Sequence, residues 1–530
     1  MDVREATYEI LRAHGLTTIF GNPGSNELTF LDDMPSDFRY LLGLHEGVVL
    51  GMADGYAQAT GRPAFVNLHA AAGTGNAMGV LTDSANAHTP LVVTAGQQVR
   101  SQVGTEVMLA NRDAPLLPRP LVKWSAEPLC AADVPRTISQ AVHTAGTPPT
   151  GPVYVSVPLD DWQTEAGADV AHLTQRTVTS AGALTPGQLD DLTAMLDGAT
   201  SPVLVLGAAV DAAGANEDAV ILAERLQAPV WIAPSPSRCP FPTRHPLFRG
   251  ALPAAIGAVT RLLAGHDVVL VAGAPVFRYH QYDPGQYLPE GARLVHLTDD
   301  PAEAARAPIG LSVVSDVGAA LQALARSVRQ ADRPGPPARP LPGVPGGEQE
   351  APLDPAVVLA TVDEVTPENV VYVKESTSTT ALVWDHLDLH RPGSYYFPAA
   401  GGLGWGMGAA VGVQLAEPDR PVVALIGDGS ASYAITALWS AARYRVPVTF
   451  VVLVNGNYQA LQSFTEHMGV TGAPGIDVPG IDFVSLAAGY GVAGHRADGR
   501  DELRQLLTDA VADDGPHLIE VPTRAINPFA

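Results

Sequence analysis

Two oxygen-bearing side chains at strand ends carry the strongest chemical signal in the sequence. The segment from Pro421 to Ser430 reads as a buried apolar strand that stops in a Gly-Asp-Gly turn at Asp428 and opens a helix, ASYAITALWSAARY. A second buried run, Val448 to Val454, follows that helix and ends at Asn455-Gly456-Asn457, with Asn455 27 residues after Asp428. Strand, helix and strand make a βαβ unit. A right-handed crossover presents the carboxyl ends of both strands at one sheet edge, so Asp428 and Asn455 should face one crevice. A carboxylate and an amide oxygen are ligands that magnesium accepts, with phosphate oxygens completing its octahedron. The helix start after Gly429-Ser430 offers unpaired N–H groups to the same phosphates. Either turn alone is an ordinary strand ending; the pair at this spacing points to a metal-held diphosphate.

The elements that must hold this pair belong to the last of three α/β units. A chain of 530 residues, 46% of them hydrophobic, is long enough for about three cores of roughly 150 to 200 residues each. Candidate strands at Thr17 to Phe20, Ala64 to Leu68 and Leu91 to Ala95 alternate with helix-length segments over residues 1–180. The alternation repeats over 181–331, with strands at Val203 to Leu206, Val230 to Ile232, Val268 to Val271 and Leu294 to Leu297. Residues 332–352 are so rich in Pro and Gly that they read as a surface linker. Strands at Val370 to Val373, Val422 to Ile426, Val448 to Val454 and His517 to Val521 then mark a third unit over 353–530. The expected fold is α/β, three doubly wound parallel-sheet domains.

Composition narrows the partners. A net charge of −24 repels nucleic acid and anionic membrane surfaces. Cys130 and Cys239 are far apart and in no CxxC spacing, which suggests neither a disulfide framework nor a zinc site and suits a reducing cytoplasm. The first residues, MDVREATYEILRAHG, read as an amphipathic helix of the fold and not as a secretory signal. No apolar run approaches the roughly 18 residues a membrane span needs. Gly73-Thr-Gly75 and Gly402-Leu-Gly404-Trp-Gly406 fail the strand-GxGxxG-helix fingerprint, which argues against a nicotinamide dehydrogenase.

With its Gly-Asp-Gly turn and distant Asn-Gly, the segment 421–457 resembles the diphosphate-binding signature of thiamine diphosphate enzymes, and LLGLHEGVVLGMADGYAQATGRPAFVNL resembles their pyrimidine-binding signature. FGNPGSNEL, NLHAAAGTGNAMG, LPRPLVKW, APVFRYHQYDPGQYL, ESTSTT and PGSYYF narrow the likeness to the 2-oxo acid decarboxylases that act on benzoylformate. The resemblance implies thiamine diphosphate held by magnesium, with calcium able to take its place. The metal ligands are the side chains of Asp428 and Asn455 and the backbone carbonyl of Asn457. It places Val454 where many relatives have a second asparagine, beside the ligand position. Glu46 is implied to protonate the aminopyrimidine. By position alone, a glutamate opening a helix is an ordinary dipole partner. Ser25, His69 and His280 are implied to handle the substrate carboxylate and protons. Gly401 and Leu403 are implied to hold the cofactor rings, and Thr377, Ser378, Gly427, Gly429, Ser430 and Tyr458 to complete the cofactor contacts.

After Asn457, Ala460, Leu461 and Phe464 fall on adjoining parts of one helix face, which also fits plain core packing. The resemblance makes these residues and Phe397 the border of an aryl pocket, while Gln459, Gln462 and Ser463 depart from its pattern. The activity implied is non-oxidative decarboxylation of an aromatic 2-oxo acid. Alternatives are a carboligase of the same cofactor, a decarboxylase of another 2-oxo acid, an inactive oligomeric binding partner, or an acetohydroxyacid synthase-like enzyme with flavin in the middle unit. The resemblance also implies a homo-oligomer, expected to be a tetramer, with active sites at a dimer interface.

Overall fold

A computed structural model describes residues 1–180, 182–280, 283–346 and 350–527. Three residues of the expected linker, 347–349, and two beside His280, 281 and 282, lie outside the described residues, as do 181 and 528–530. The N-terminal helix, Val3–Ala13, starts at a capping box in which Asp2 and Glu5 satisfy each other's backbone N–H groups.

Each stretch of alternating strand and helix forms a six-stranded parallel sheet. Sheet one contains β1 (Thr18–Gly21), β2 (Arg39–Leu42), β3 (Ala64–Leu68), β4 (Leu91–Gln97), β5 (Trp124–Ala126) and β6 (Val153–Pro158), in the order β2-β1-β3-β4-β6-β5. Sheet two contains β7 (Pro202–Leu206), β8 (Val230–Ile232), β9 (Phe248–Ala251), β10 (Val268–Ala272), β11 (Arg293–Thr298) and β12 (Leu311–Val314), in the order β12-β11-β10-β7-β8-β9. Sheet three contains β13 (Val371–Glu375), β14 (Tyr395–Tyr396), β15 (Val422–Gly427), β16 (Val448–Val454), β17 (Ala493–Arg496) and β18 (His517–Pro522), in the order β14-β13-β15-β16-β18-β17. Sheets one and three therefore share one topology. In both, strand order reverses between the first and third strands, and open α/β sheets bind ligands at the carboxyl side of such a switch point.

The central strands β3, β4 and β16 are buried along almost their whole length, and mostly apolar, because helices cover both faces of a parallel sheet. Sheets one and three are joined through the helices Glu46–Thr60 and Gly406–Ala416, whose Val48, Met52, Met407 and Val411 share one core. Their backbones touch: a Cβ on Gly55 would strike the main chain of Ala409, and one on Gly412 the main chain of Met52. From Asp332 to Gly346 the chain forms neither helix nor strand. Arg333 there donates to the carbonyls of Ala199 and Leu226, and Arg339 pairs with Asp385, which ties the segment to the flanking units. Both cysteines are free thiols. Among the described residues, no helix is long and apolar enough to cross a membrane.

Candidate active site

The switch point of sheet three lies between β13 and β15. Register sets its depth: Glu375 pairs with Ile426, and Gly427 with Leu453, so Thr377, Asp428 and Asn455 all leave the sheet at one edge. Thr377 and Ser378 form a 3-10 turn directly after β13. Asp428 begins the helix Asp428–Ala434 and is buried. That helix stops at Ile435 and resumes as Ala437–Tyr444, where the sequence suggested a single helix; i+3 bonds from Leu438 to Ile435 and Trp439 to Thr436 tighten the break. The Asp428 carboxylate accepts from the N–H of Gly429 at 2.8 Å, of Asn455 at 3.0 Å and of Gly456 at 2.7 Å. Burial raises its pKa, opposed by those three donors. Asn455 Oδ1 accepts from the N–H of Asn457 at 3.1 Å, and Asn457 Oδ1 is buried with no hydrogen-bond partner. Tyr458 lies over Gly429, and burial raises its phenol pKa. An all-oxygen donor set with one carboxylate and two amides fits a hard divalent cation bridging to phosphate.

The matching switch point of sheet one lies between β1 and β3, and three of the four expected catalytic residues, Ser25, Glu46 and His69, gather there. The chain leaving β1 carries Asn22 and Ser25, and His69 follows β3 as the residue before the helix Ala70–Asn86. Glu46 opens the helix Glu46–Thr60, buried, with Oε1 accepting from Asn22 Nδ2 at 3.2 Å and Oε2 from Asn76 Nδ2 at 2.9 Å. Ser25 Oγ lies 3.3 Å from Asn26 Oδ1. His69 Nδ1 is 2.8 Å from Glu27 Oε2. Glu27 is itself buried and accepts from the N–H groups of Gly24 at 2.9 Å and Gly96 at 2.8 Å. Asn22, Glu27 and Asn76 were not singled out from sequence, although all three stand in quoted motifs. A buried glutamate held by backbone donors has no local signature.

Among the described residues, no hydrogen bond joins the Glu46 group to the Asp428 group. His280, in sheet two's stretch of chain, reaches sheet three instead: its ring packs edge-on against Phe464 at 4.8 Å between centroids. Phe464 belongs to the helix Gln459–Met468, whose buried side is Gln459 and Ser463, hydrogen-bonded to each other at 3.2 Å. Ala460 and Phe464 are half-buried and Leu461 is 51% exposed, so this face is not ordinary core. Phe397 is buried with Lys374 Nζ 5.2 Å from its ring centroid, and burial lowers that lysine to about 7. Gly401 and Leu403 lie in the loop before the helix Gly406–Ala416. A separate cavity of about 300 Å³ opens at the carboxyl edge of sheet two, lined in part by Gly207, Ser235, Arg238, Gly273 and Asp299, and borders none of the expected site residues.

Family models described as thiamine pyrophosphate enzyme match the chain in three places: the N-terminal TPP binding domain at residues 1–114, the central domain at 189–324 and the C-terminal TPP binding domain at 375–521. The chain is 59% identical over 526 residues to a benzoylformate decarboxylase of Pseudomonas aeruginosa, covering 99% of both. A thiamine diphosphate-dependent 4-hydroxybenzoylformate decarboxylase of Rhodococcus jostii RHA1 superposes with a TM-score of 0.97 at 59% identity, over 99% of this chain and 100% of that one. A benzoylformate decarboxylase of Polynucleobacter necessarius gives 0.96 at 39% identity, over 99% of each chain.

Proposed function

Because the chain belongs to the thiamine pyrophosphate enzyme family, we propose that it removes carbon dioxide from an aromatic 2-oxo acid, benzoylformate or a ring-substituted form of it, and releases the aldehyde. The observation that carries this reading is that sheets one and three, of identical strand order, bring different chemistry to equivalent crevices. One holds proton-handling side chains and the other a set of oxygen ligands. Thiamine diphosphate, when bound, supplies the electron sink for cleavage of the carboxylate.

The chain's own residues do the rest. Asp428, Asn455 and the carbonyl of Asn457 hold magnesium, and Thr377, Ser378, Gly427, Gly429, Ser430 and Tyr458 border the diphosphate. Gly401 and Leu403 border the rings. Glu46 holds a proton at the aminopyrimidine nitrogen, steadied by Asn22 and Asn76. Ser25 orients the substrate carboxylate, while His69 and His280 pass protons to and from the substrate oxygen, a task suited to imidazole near neutral pH. Phe397, Ala460, Leu461 and Phe464 enclose the aryl ring. Two chains build each site, one giving the Glu46 group and the other the Asp428 group, in a dimer of dimers. The exposure of Leu461, on the expected border of the aryl pocket, supports this arrangement. The domains run over 1–180, 181–331 and 353–530, with 332–352 as the linker.

Carbon dioxide release from benzoylformate, 4-hydroxybenzoylformate, phenylpyruvate and pyruvate, with and without thiamine diphosphate and magnesium, tests the reading. An aryl-glyoxylate is expected to be turned over fastest and only with both additions; a preference for pyruvate would overturn it. A second expectation concerns Glu27. Glu27→Gln keeps one oxygen for either the Gly24 or the Gly96 donor, which bond to different oxygens of Glu27, and removes the charge beside His69. It should lower kcat about tenfold with little change in KM, part of the roughly 10²–10⁴-fold that positioned proton transfer contributes. An unchanged kcat–pH profile in this variant would show that Glu27 does not orient His69.

A further inference from the structure

The glycines of Gly401 to Gly406 match no dinucleotide fingerprint, and their spacing has a different physical cause. We propose that Asp83 and Glu375 are positioning residues that fix this loop, each taking the N–H groups of two alternate residues; the proposal rests on the reading above that Gly401 and Leu403 face the cofactor rings.

Asp83 Oδ1 accepts from Ala400 N at 2.8 Å and from Gly402 N at 3.2 Å. Glu375 accepts from Gly404 N at 2.6 Å on Oε1 and from Gly406 N on Oε2. The amides of 400, 402, 404 and 406 are thus held by two side chains, and Gly401 and Leu403 sit between anchors. The carboxylates come from opposite sides of the joint between sheets one and three. Asp83 lies near the end of the helix Ala70–Asn86, and Glu375 is the last residue of β13. Both are 1% exposed.

Close approach explains Gly402 and Gly406, while a left-handed backbone explains Gly401 (φ +75°) and Gly404 (φ +97°). A Cβ on Gly402 would lie 2.6 Å from Asp83 Oδ2, and one on Gly406 would lie 2.8 Å from Glu375 Cβ, so any larger residue would push the carboxylates off the backbone. The loop's large side chain is fixed in the same way: Trp405 Nε1 donates at 2.8 Å to Asp54, a third buried carboxylate. Burial pushes Asp83 up to about 7 and Glu375 up to about 8, against the N–H donors that oppose the shift. Asp83 Oδ2 is buried with no partner. Backbone carbonyls could tether a loop without burying acids, and acids kept at this cost favour a need for one exact loop geometry, as preorganised sites require.

Glu375→Gln and Asp83→Leu test the clamp: glutamine turns one of the two accepting oxygens of Glu375 into a donor, and leucine removes Asp83 Oδ1, which takes the N–H groups of both Ala400 and Gly402. In the holoenzyme, hydrogen–deuterium exchange of the segment 400–406 is expected to rise about tenfold in either variant, with other helices unaffected. Thiamine diphosphate should bind about tenfold more weakly, and kcat should fall roughly tenfold to a hundredfold with KM nearly constant, as for a small misplacement of the reacting groups. Glu375→Asp, which restores a carboxylate, should recover part of each loss. Unchanged exchange in both variants would overturn the clamp and leave the proposed function standing. Faster exchange with unchanged cofactor affinity and kcat would overturn it too, and would also count against the reading that this loop faces the cofactor. The parent holoenzyme supplies an independent arm if a variant does not fold: the amides of 402, 404 and 406 should exchange about tenfold more slowly than that of Leu403, and equal rates would refute the alternating clamp.

Discussion

Replacing Glu46 by glutamine is expected to cut kcat by about 10²–10⁴-fold, the range that a positioned proton donor contributes, while leaving the fold intact. The substitution is nearly isosteric, with Gly73 packed close enough that a Cβ there would come within 3.2 Å of Glu46 Oε1. Both carboxylate oxygens accept from asparagine amides, Asn22 at 3.2 Å and Asn76 at 2.9 Å. A glutamine keeps one of these bonds, and the other asparagine can rotate its amide to offer oxygen. Melting temperature should therefore change little. The change is chemical: an amide has no acidic proton to give the aminopyrimidine nitrogen. Turnover at saturating thiamine diphosphate and magnesium, beside thermal melting, separates the two effects. A variant that turned over at the parental rate would remove Glu46 from the proton path and with it the assignment of sheet one's crevice.

Buried strands were legible because a parallel sheet covered on both faces shows as runs of Val, Leu and Ile. Each of the eleven strands named from the sequence is present within two residues of its expected limits. Six of the seven not named, β2, β5, β9, β12, β14 and β17, lie at sheet edges, where one side is open and the apolar run is short or broken. The seventh, β6, is interior, but Pro148, Pro149 and Pro152 just ahead of it read as turn. The site followed a similar rule. Asp428 and Asn455 could be placed because strand ends and crossover handedness are local and chiral. Glu27, Asp83 and Glu375 could not, because a carboxylate is normally at the surface. What buries these three is backbone N–H groups from distant segments: Gly96 for Glu27, the 400–402 turn for Asp83 and the 404–406 turn for Glu375. Only the folded chain brings those donors together.

Asp428→Ala should have the second large effect, and on binding before chemistry. Its carboxylate is the one negatively charged member of the donor set and also the acceptor for three backbone N–H groups, of Gly429, Asn455 and Gly456. Alanine leaves those donors without an acceptor, at roughly 1–3 kcal/mol for each that water does not reach, so a lower melting temperature is expected as well. Loss of a direct ligand should weaken magnesium more than the 10–100-fold typical of outer-shell partners, and thiamine diphosphate with it. Titration of metal-free protein with magnesium and thiamine diphosphate, followed by calorimetry and by carbon dioxide release, reads both quantities. Asn457→Ala is the counterpart that separates ligand from neighbour. If position 457 contributes its main-chain oxygen, removing the side chain, whose Oδ1 has no partner, should leave magnesium affinity within about threefold, well short of an outer-shell loss. Equal losses in the two variants would make the Asn457 side chain a ligand in its own right. An unaltered magnesium requirement in Asp428→Ala would place the metal elsewhere.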